Sequence, residues 1–366
     1  MRITAALLLT AITAFRNEAL AFTVFPSRTT TTSIATLDPT FAPPDCVGAG
    51  ITEELCIDTS QRMKRVKVPV SRSIHIDGEV GISFTYWPKS SRTLSKVPPV
   101  ILVHGFDSSN LEFRRLGSRL AARGIDTYAV DLLGWGYTQL DNVLDFSASA
   151  KVEALQSFIQ QVVLADGKGD QPFCIAGASL GGAAAIETAV TNPNCAGLIL
   201  MDAQGFVDGV GMMSSLPFPL AKLGVNVLQS VPLRSSANQM SYYDKATYAT
   251  DEAVTVGRLH CLRDGWNEAL VNFMKSGGFA PSKLVPQVPV PSLVLWGRQD
   301  TILDGKKFAQ KFVDTLPTAS LVWIEECGHV PHLEQPEYVI EYNRQFCRNH
   351  ELTFCLHSLS LQQSNC

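Results

Sequence analysis

The chain has 366 residues, with hydrophobic types at 46%, charged types at 17% and a net charge of −4. That is enough to bury one large core plus an excursion. Lys and Arg are scattered, which excludes a binder of the nucleic-acid phosphate backbone, since such a protein needs clustered cations. Nine cysteines are too dispersed, and odd in number, for a disulfide scaffold.

Residues Ile3 to Phe15 are apolar after Arg2, long enough for a signal-peptide core and too short to span a bilayer. Ala19-Leu20-Ala21 supplies the small-x-small cleavage pattern, so residues 1–21 are expected to be a signal peptide. Ser27 through Thr32 is Ser/Thr-rich, and the first acidic residue after that pattern is Asp38. This resembles the two-part presequence of algae with secondary plastids, in which a transit peptide beginning with Phe, here Phe22, follows the signal. Residues 22–60 are therefore expected to be transit peptide and disordered linker, and the destination a plastid. Secretion is the alternative, and the lack of any Asn-x-Ser/Thr sequon speaks weakly against it. Cys46 and Cys56 are close enough in sequence to bridge, in surroundings that read as poorly structured.

Val80 to Tyr86 has the partial alternation of an early antiparallel strand. Val100–Val103, Thr127–Val130, Phe173–Ala176, Leu198–Met201 and Leu293–Trp296 are short continuous apolar runs, as strands buried on both faces are. Between them, Val152, Leu155, Ile159 and Val162 recur at helical spacing, and Ala183 to Val190 is rich in helix formers. Strand alternating with helix predicts an α/β fold, a mostly parallel sheet with helices on both faces. The rhythm fails from about Gly205 to Pro286, a stretch that is apolar at its start. The expected organisation is core over 61–204, a helical cap over 205–286, core again over 287–348, and a tail over 349–366. A cap would cover the carboxyl edge of the sheet, where open α/β sheets bind ligands. No segment after the presequence is apolar for long enough to span a membrane.

Gly177-Ala178-Ser179-Leu180-Gly181 follows a strand and precedes a helix, the setting that G-x-S-x-G requires as a nucleophile elbow. The tight turn strains Ser179 and exposes its hydroxyl at a helix N-terminus, where the dipole favours developing negative charge. Asp300 follows Leu293–Trp296 and suits the role of orienting an imidazole; Asp304 and Asp202 are competing carboxylates. His329, in Cys327-Gly328-His329-Val330-Pro331-His332, can serve as general base, with His332 as the alternative. The H-x-x-H spacing lacks the glutamate of H-E-x-x-H, so no metal is expected there. His104-Gly105-Phe106-Asp107 follows the first buried strand. The backbone N–H groups of Phe106 and Leu180 are the expected oxyanion hole. His104 and Asp107 receive no proton-transfer role, and Asp131 through Gly136 reads as a loop shaping the pocket.

Together these segments resemble the α/β-hydrolase family over about Arg65 to Cys347. One branch is more similar: the plastid chlorophyll dephytylases of plants and algae. That resemblance is carried by His104 to Ser109, Asp131 to Gly136, Gly257 to Leu262 and Phe273 to Gly278. The plant pattern has Pro where this chain has Ala178. The branch implies hydrolysis of the phytyl ester of chlorophyll to chlorophyllide and phytol, without metal or organic cofactor, and peripheral contact with the thylakoid membrane. A hydrophobic ester partner also fits plastid lipids, and serine members of the family cleave thioesters and carbon–carbon bonds too. Members that use an aspartate nucleophile are disfavoured by Ser179. A non-catalytic binding protein on this scaffold is the alternative of another class.

Overall fold

A strand covered on both faces needs apolar side chains of both parities, and the central strands supply them. The computed structural model describes residues 36–90, 97–165 and 171–349. The amino-terminal part runs β1 (Thr36–Leu37), α1 (Glu54–Arg62), β2 (Lys64–Pro69) and β3 (Glu79–Trp87). Then follow β4 (Val100–Val103), α2 (Gly117–Ala122), β5 (Thr127–Val130), α3 (Ala148–Phe158), β6 (Phe173–Ala178), α4 (Gly181–Thr191) and β7 (Cys195–Met201). A helical excursion comprises α5 (Phe218–Leu228), α6 (Val231–Ser241), α7 (Lys245–Tyr248), α8 (Asp251–Arg258) and α9 (Trp266–Lys275). The chain closes with β8 (Ser292–Gly297), α10 (Gly305–Thr315), β9 (Ala319–Ile324), α11 (Pro331–Glu334) and α12 (Pro336–Asn349).

The strands form one sheet in the order β1-β2-β3-β5-β4-β6-β7-β8-β9. β1, β2 and β3 run antiparallel to their neighbours, and the six strands from β5 to β9 are mutually parallel. Side chains sort by parity. Ile101 and Val103 of β4, Ile175 of β6 and Leu198 of β7 join one core with Leu155, Phe158, Ile186 and Phe312 of α3, α4 and α10. Val100 and Leu102, Cys174, and Ile199 face the opposite core with Leu120 of α2 and Val339 and Ile340 of α12. This is the period of two expected of a strand, satisfied on both sides.

Strand order reverses at β4, which has β5 on one side and β6 on the other. The loops leaving β4 and β6 therefore diverge and leave a crevice at the carboxyl edge. The loops after β4, β6, β7, β8 and β9 carry Phe106, Ser179, Asp202, Asp300 and His329 respectively.

The expected signal peptide of residues 1–21 and most of the tail lie outside the described residues. Residues 36–60, expected to belong to a disordered linker, are ordered instead. Cys46, Ile51 and Cys56 are buried with Leu111, Tyr137 and Val256, and Glu53 bonds both Arg114 and Arg115 at 2.7 Å. The segment is held by contacts distant in sequence, so no local periodicity announces it. Its two cysteines are free thiols 3.9 Å apart.

Candidate active site

The elbow at Ser179 is forced by close approach. A Cβ on Gly181 would sit 2.3 Å from the Val103 carbonyl oxygen, and one on Gly177 would sit 2.4 Å from that of Gly181. Only glycine lets β4, β6 and α4 meet so closely. Ser179 between them has φ +49°, a left-handed conformation that costs a non-glycine residue free energy and marks functional turns. The strained turn is pinned: Ser179 N–H donates to Met201 C=O at 3.0 Å, and Gln204 N–H donates to Ser179 C=O at 2.8 Å. Gly105 packs against it, since a Cβ there would lie 3.3 Å from Ser179 Cβ. The Ser179 hydroxyl makes no hydrogen bond among the described residues, a looseness common before substrate binds.

Of the three candidate acids, Asp300 is the one bonded to His329: Oδ2 lies 2.9 Å from Nδ1. Its other oxygen accepts the N–H groups of Ile302 (2.7 Å) and Leu303 (3.1 Å), fixing the carboxylate as a rigid acceptor. Asp304 instead caps α10, accepting Lys307 N–H at 3.3 Å. The two loops are locked together by Gln299, whose N–H reaches Cys327 C=O at 2.9 Å while its side chain accepts Cys327 N–H at 3.0 Å. The excursion holds the histidine from above. His329 N–H donates to Ser241 C=O at 2.8 Å. Glu334 accepts N–H groups from Gly328 (2.7 Å), Tyr243 (3.2 Å) and Asp244 (2.7 Å). His332 is turned away, its Nε2 2.8 Å from Glu112 Oε1.

The backbone N–H groups of Phe106 and Leu180 have no acceptor among the described residues. Their loop is set from below by His104, fully buried. Its Nε2 accepts Leu132 N–H at 3.1 Å and its Nδ1 contacts Gly105 C=O at 2.9 Å, so the proton resides on Nδ1. Burial pushes this imidazole down to about 4, keeping it neutral. Asp131 gathers Ser83, Asn110 and Tyr137 around its carboxylate, and burial still pushes it up to about 6.

Sequence reasoning left Asp107 as a loop residue; it is the node joining sheet to excursion. Buried, at φ +48°, its carboxylate accepts Arg234 Nη2, His260 Nε2 at 3.2 Å and Trp266 Nε1 at 2.8 Å. Burial alone would raise its pKa, but Arg234 and His260 hold it well below the usual carboxylate range. Arg263 adds a second link, donating to Gly136 C=O and Thr138 C=O at 2.7 Å each. Lys151 was also missed. It is buried, donates to Leu133 C=O and lies 3.8 Å from the Trp135 ring centre. Trp135, Phe106, Phe273 and Phe279 form an aromatic wall beside the oxyanion loop. The one sequence hint was a lysine placed next to the apolar stripe of α3.

Among the described residues, two groups could bring three ligands to a metal: Asp107, His260 and Cys261, and Asp202, Asp300 and His329. The acceptor oxygens of Asp107 and Asp300 are already occupied by protein donors.

Residues 100–342 match the sequence model of the Alpha/beta hydrolase family. The chain belongs to that family. It is 30% identical over 309 residues to the alpha/beta hydrolase domain-containing protein VTE7 of Arabidopsis thaliana, covering 84% of this chain and 90% of VTE7. Lipase 1 of Psychrobacter immobilis is 26% identical over 245 residues, 64% of this chain and 72% of the lipase. Among solved structures, a serine hydrolase involved in carbazole degradation (CarC) superposes with a TM-score of 0.59 at 22% identity, covering 78% of this chain and 99% of CarC. At that identity the likeness speaks for the fold alone. The mostly parallel sheet and helices are those of an α/β hydrolase.

Proposed function

We propose that this α/β hydrolase is a serine esterase acting through an acyl-enzyme, and that its substrate is the phytyl ester of chlorophyll in a plastid. The observation that carries the reaction is the pairing of a strained elbow serine with a buried Asp300–His329 hydrogen bond at the same sheet edge. His329 takes the proton of Ser179 as its oxygen attacks the ester carbonyl, and the N–H groups of Phe106 and Leu180 hold the resulting oxyanion. The imidazolium, its Nδ1–H bonded to Asp300, returns the proton to the departing alcohol. Water then attacks the acyl-enzyme by the same route, releasing the acid and restoring Ser179.

Two features support the hydrophobic ester. An aromatic wall of Phe106, Trp135, Phe273 and Phe279 flanks the oxyanion loop. Phe218, Leu220, Leu223, Val227 and Val231 stand exposed along α5 and the start of α6, a face suited to peripheral contact with a lipid surface. No helix among the described residues is long and apolar enough to cross a membrane. The pigment itself is supported by the sequence resemblance around His104 to Ser109 and Phe273 to Gly278, and the plastid by the composition of the presequence.

The test is incubation of the protein with chlorophyll a, with chlorophyllide followed by chromatography and Ser179→Ala as control. Chlorophyllide formed only with Ser179 present is the expected result. No chlorophyllide from a protein that hydrolyses a p-nitrophenyl ester would discard the pigment and redirect the search to plastid lipids. Equal activity of folded Ser179→Ala would discard the mechanism.

A further inference from the structure

Asp202 immediately follows β7 and is one of the two competing acids in the sequence, beside Asp304. It does not stand apart from the triad. One oxygen of Asp202, one of Asp300 and a nitrogen of His329 all lie within 4.8 Å of one another. Two carboxyls and an imidazole thus share a site in which the Asp202 and His329 side chains are buried.

The donors around each carboxyl tell which one holds a proton. Asp300 receives two backbone N–H groups and the imidazole. Glu334, the next nearest acid, receives three backbone N–H groups. Asp202 receives only one, from Gly297 at 2.9 Å. Its Oδ2 is fully buried and has no partner that can donate to it. An ionised carboxylate in that position would be a buried charge with a single hydrogen-bond donor, beside a second carboxyl. Its backbone is also held at φ +43°, a sparsely populated conformation found at functional turns.

We propose that Asp202 is a positioning residue: it keeps its proton at neutral pH and donates it to an oxygen of Asp300, fixing the carboxylate that orients His329. The direction of its shift agrees. Burial pushes Asp202 well above the usual carboxylate range, and Asp300 and Glu334 push it the same way. The other titratable groups facing this site are His329 and the buried thiol of Cys327. The proposal rests on the Ser179–Asp300–His329 reading, and two readouts separate its failure from the failure of that reading.

The first is infrared spectroscopy at pH 8, which does not depend on turnover. A carbonyl band of a protonated carboxyl should be present in the unaltered protein and in Ser179→Ala, and absent from Asp202→Asn. Persistence of the whole band in Asp202→Asn would overturn the proposal. The second is the pH profile of kcat/KM on a p-nitrophenyl ester. Asparagine keeps an N–H that can donate to Asp300, so Asp202→Asn should stay within about 10-fold of the unaltered enzyme, with its acid limb unmoved. Asp202→Ala removes the donor and should lose about 10- to 100-fold. Asp300 then attracts the imidazole proton more strongly, so a higher pH is needed to free the base and the acid limb moves up. Were Asp202 instead ionised, Asp202→Asn would delete a negative charge and its acid limb would move down. That shift, or a collapse of about 10³-fold or more matching Asp300→Asn, would overturn the proposal. If Asp202→Ala does not fold, the asparagine profile and the infrared band still decide.

Discussion

Replacing Asp107 with alanine removes the acceptor on which three buried donors from the excursion converge. Arg234 would lose its carboxylate counter-ion and keep only neutral acceptors such as the Leu228 carbonyl, and the His260 and Trp266 N–H groups would lose their carboxylate acceptor. Breaking a buried ion pair by deleting one partner costs about 3–5 kcal/mol. Alanine at φ +48°, where aspartate is better tolerated, adds about 1 kcal/mol. Asp107→Ala is therefore expected to lose about 4–6 kcal/mol in urea denaturation, and Asp107→Asn, which keeps an acceptor oxygen, about 2 kcal/mol. The same residue follows Phe106, so loosening the node displaces the proposed oxyanion donor. The kcat for a p-nitrophenyl ester should drop about 10²-fold or more in Asp107→Ala, measured below its unfolding transition. A double-mutant cycle isolates the pair: Asp107→Ala and Arg234→Ala combined should cost at least about 1 kcal/mol less than their sum. Stability within about 1 kcal/mol of the unaltered protein, or strict additivity with Arg234→Ala, would refute the reasoning.

Ser179→Ala should lose at least about 10³-fold in kcat and all labelling by a fluorophosphonate, with an unchanged circular dichroism spectrum; labelling elsewhere in the chain would move the nucleophile. His104 is held near 4 in the folded chain and is freer to protonate when unfolded, so the unfolded state binds the extra proton between pH 6.5 and 4. Stability should therefore fall as pH falls through that window, by up to about 3 kcal/mol. His104→Gln should flatten the slope; Asp131 acts oppositely but equally in both proteins, and identical slopes would remove His104 from the balance. Leu223→Asp places a charge on the exposed face of α5 at little cost to folding. It should weaken co-sedimentation with neutral lipid vesicles several-fold while leaving p-nitrophenyl ester hydrolysis intact, and equal pelleting would deny that face a membrane role.

What could be read from the sequence divides along a physical line. Val100–Val103, Phe173–Ala176 and Leu293–Trp296 declare themselves because a strand buried on both faces has to be apolar at every position. Ser179 declares itself because its turn cannot be built without glycine at 177 and 181. β2 was not read: its Lys64–Pro69 run alternates charge with valine as an outer antiparallel strand does, and six residues are too few to stand out from a loop. The node at Asp107 lay beyond reach for a different reason. Its partners stand 127, 153 and 159 positions away, and nothing local distinguishes an aspartate awaiting an arginine from one in a solvated turn. Asp202 shows the same limit more sharply. The sequence offers two carboxylates ending two strands and asks which is the acid. Because β7 and β8 are adjacent and parallel, with Met201 opposite Leu295, both strand ends deliver their aspartates to one place. The choice between rivals was a consequence of reading strands one at a time. Placed side by side in the sheet, the two residues are two halves of one support for His329: Asp300 holds the negative charge, and the proposed proton on Asp202 lets that charge remain there.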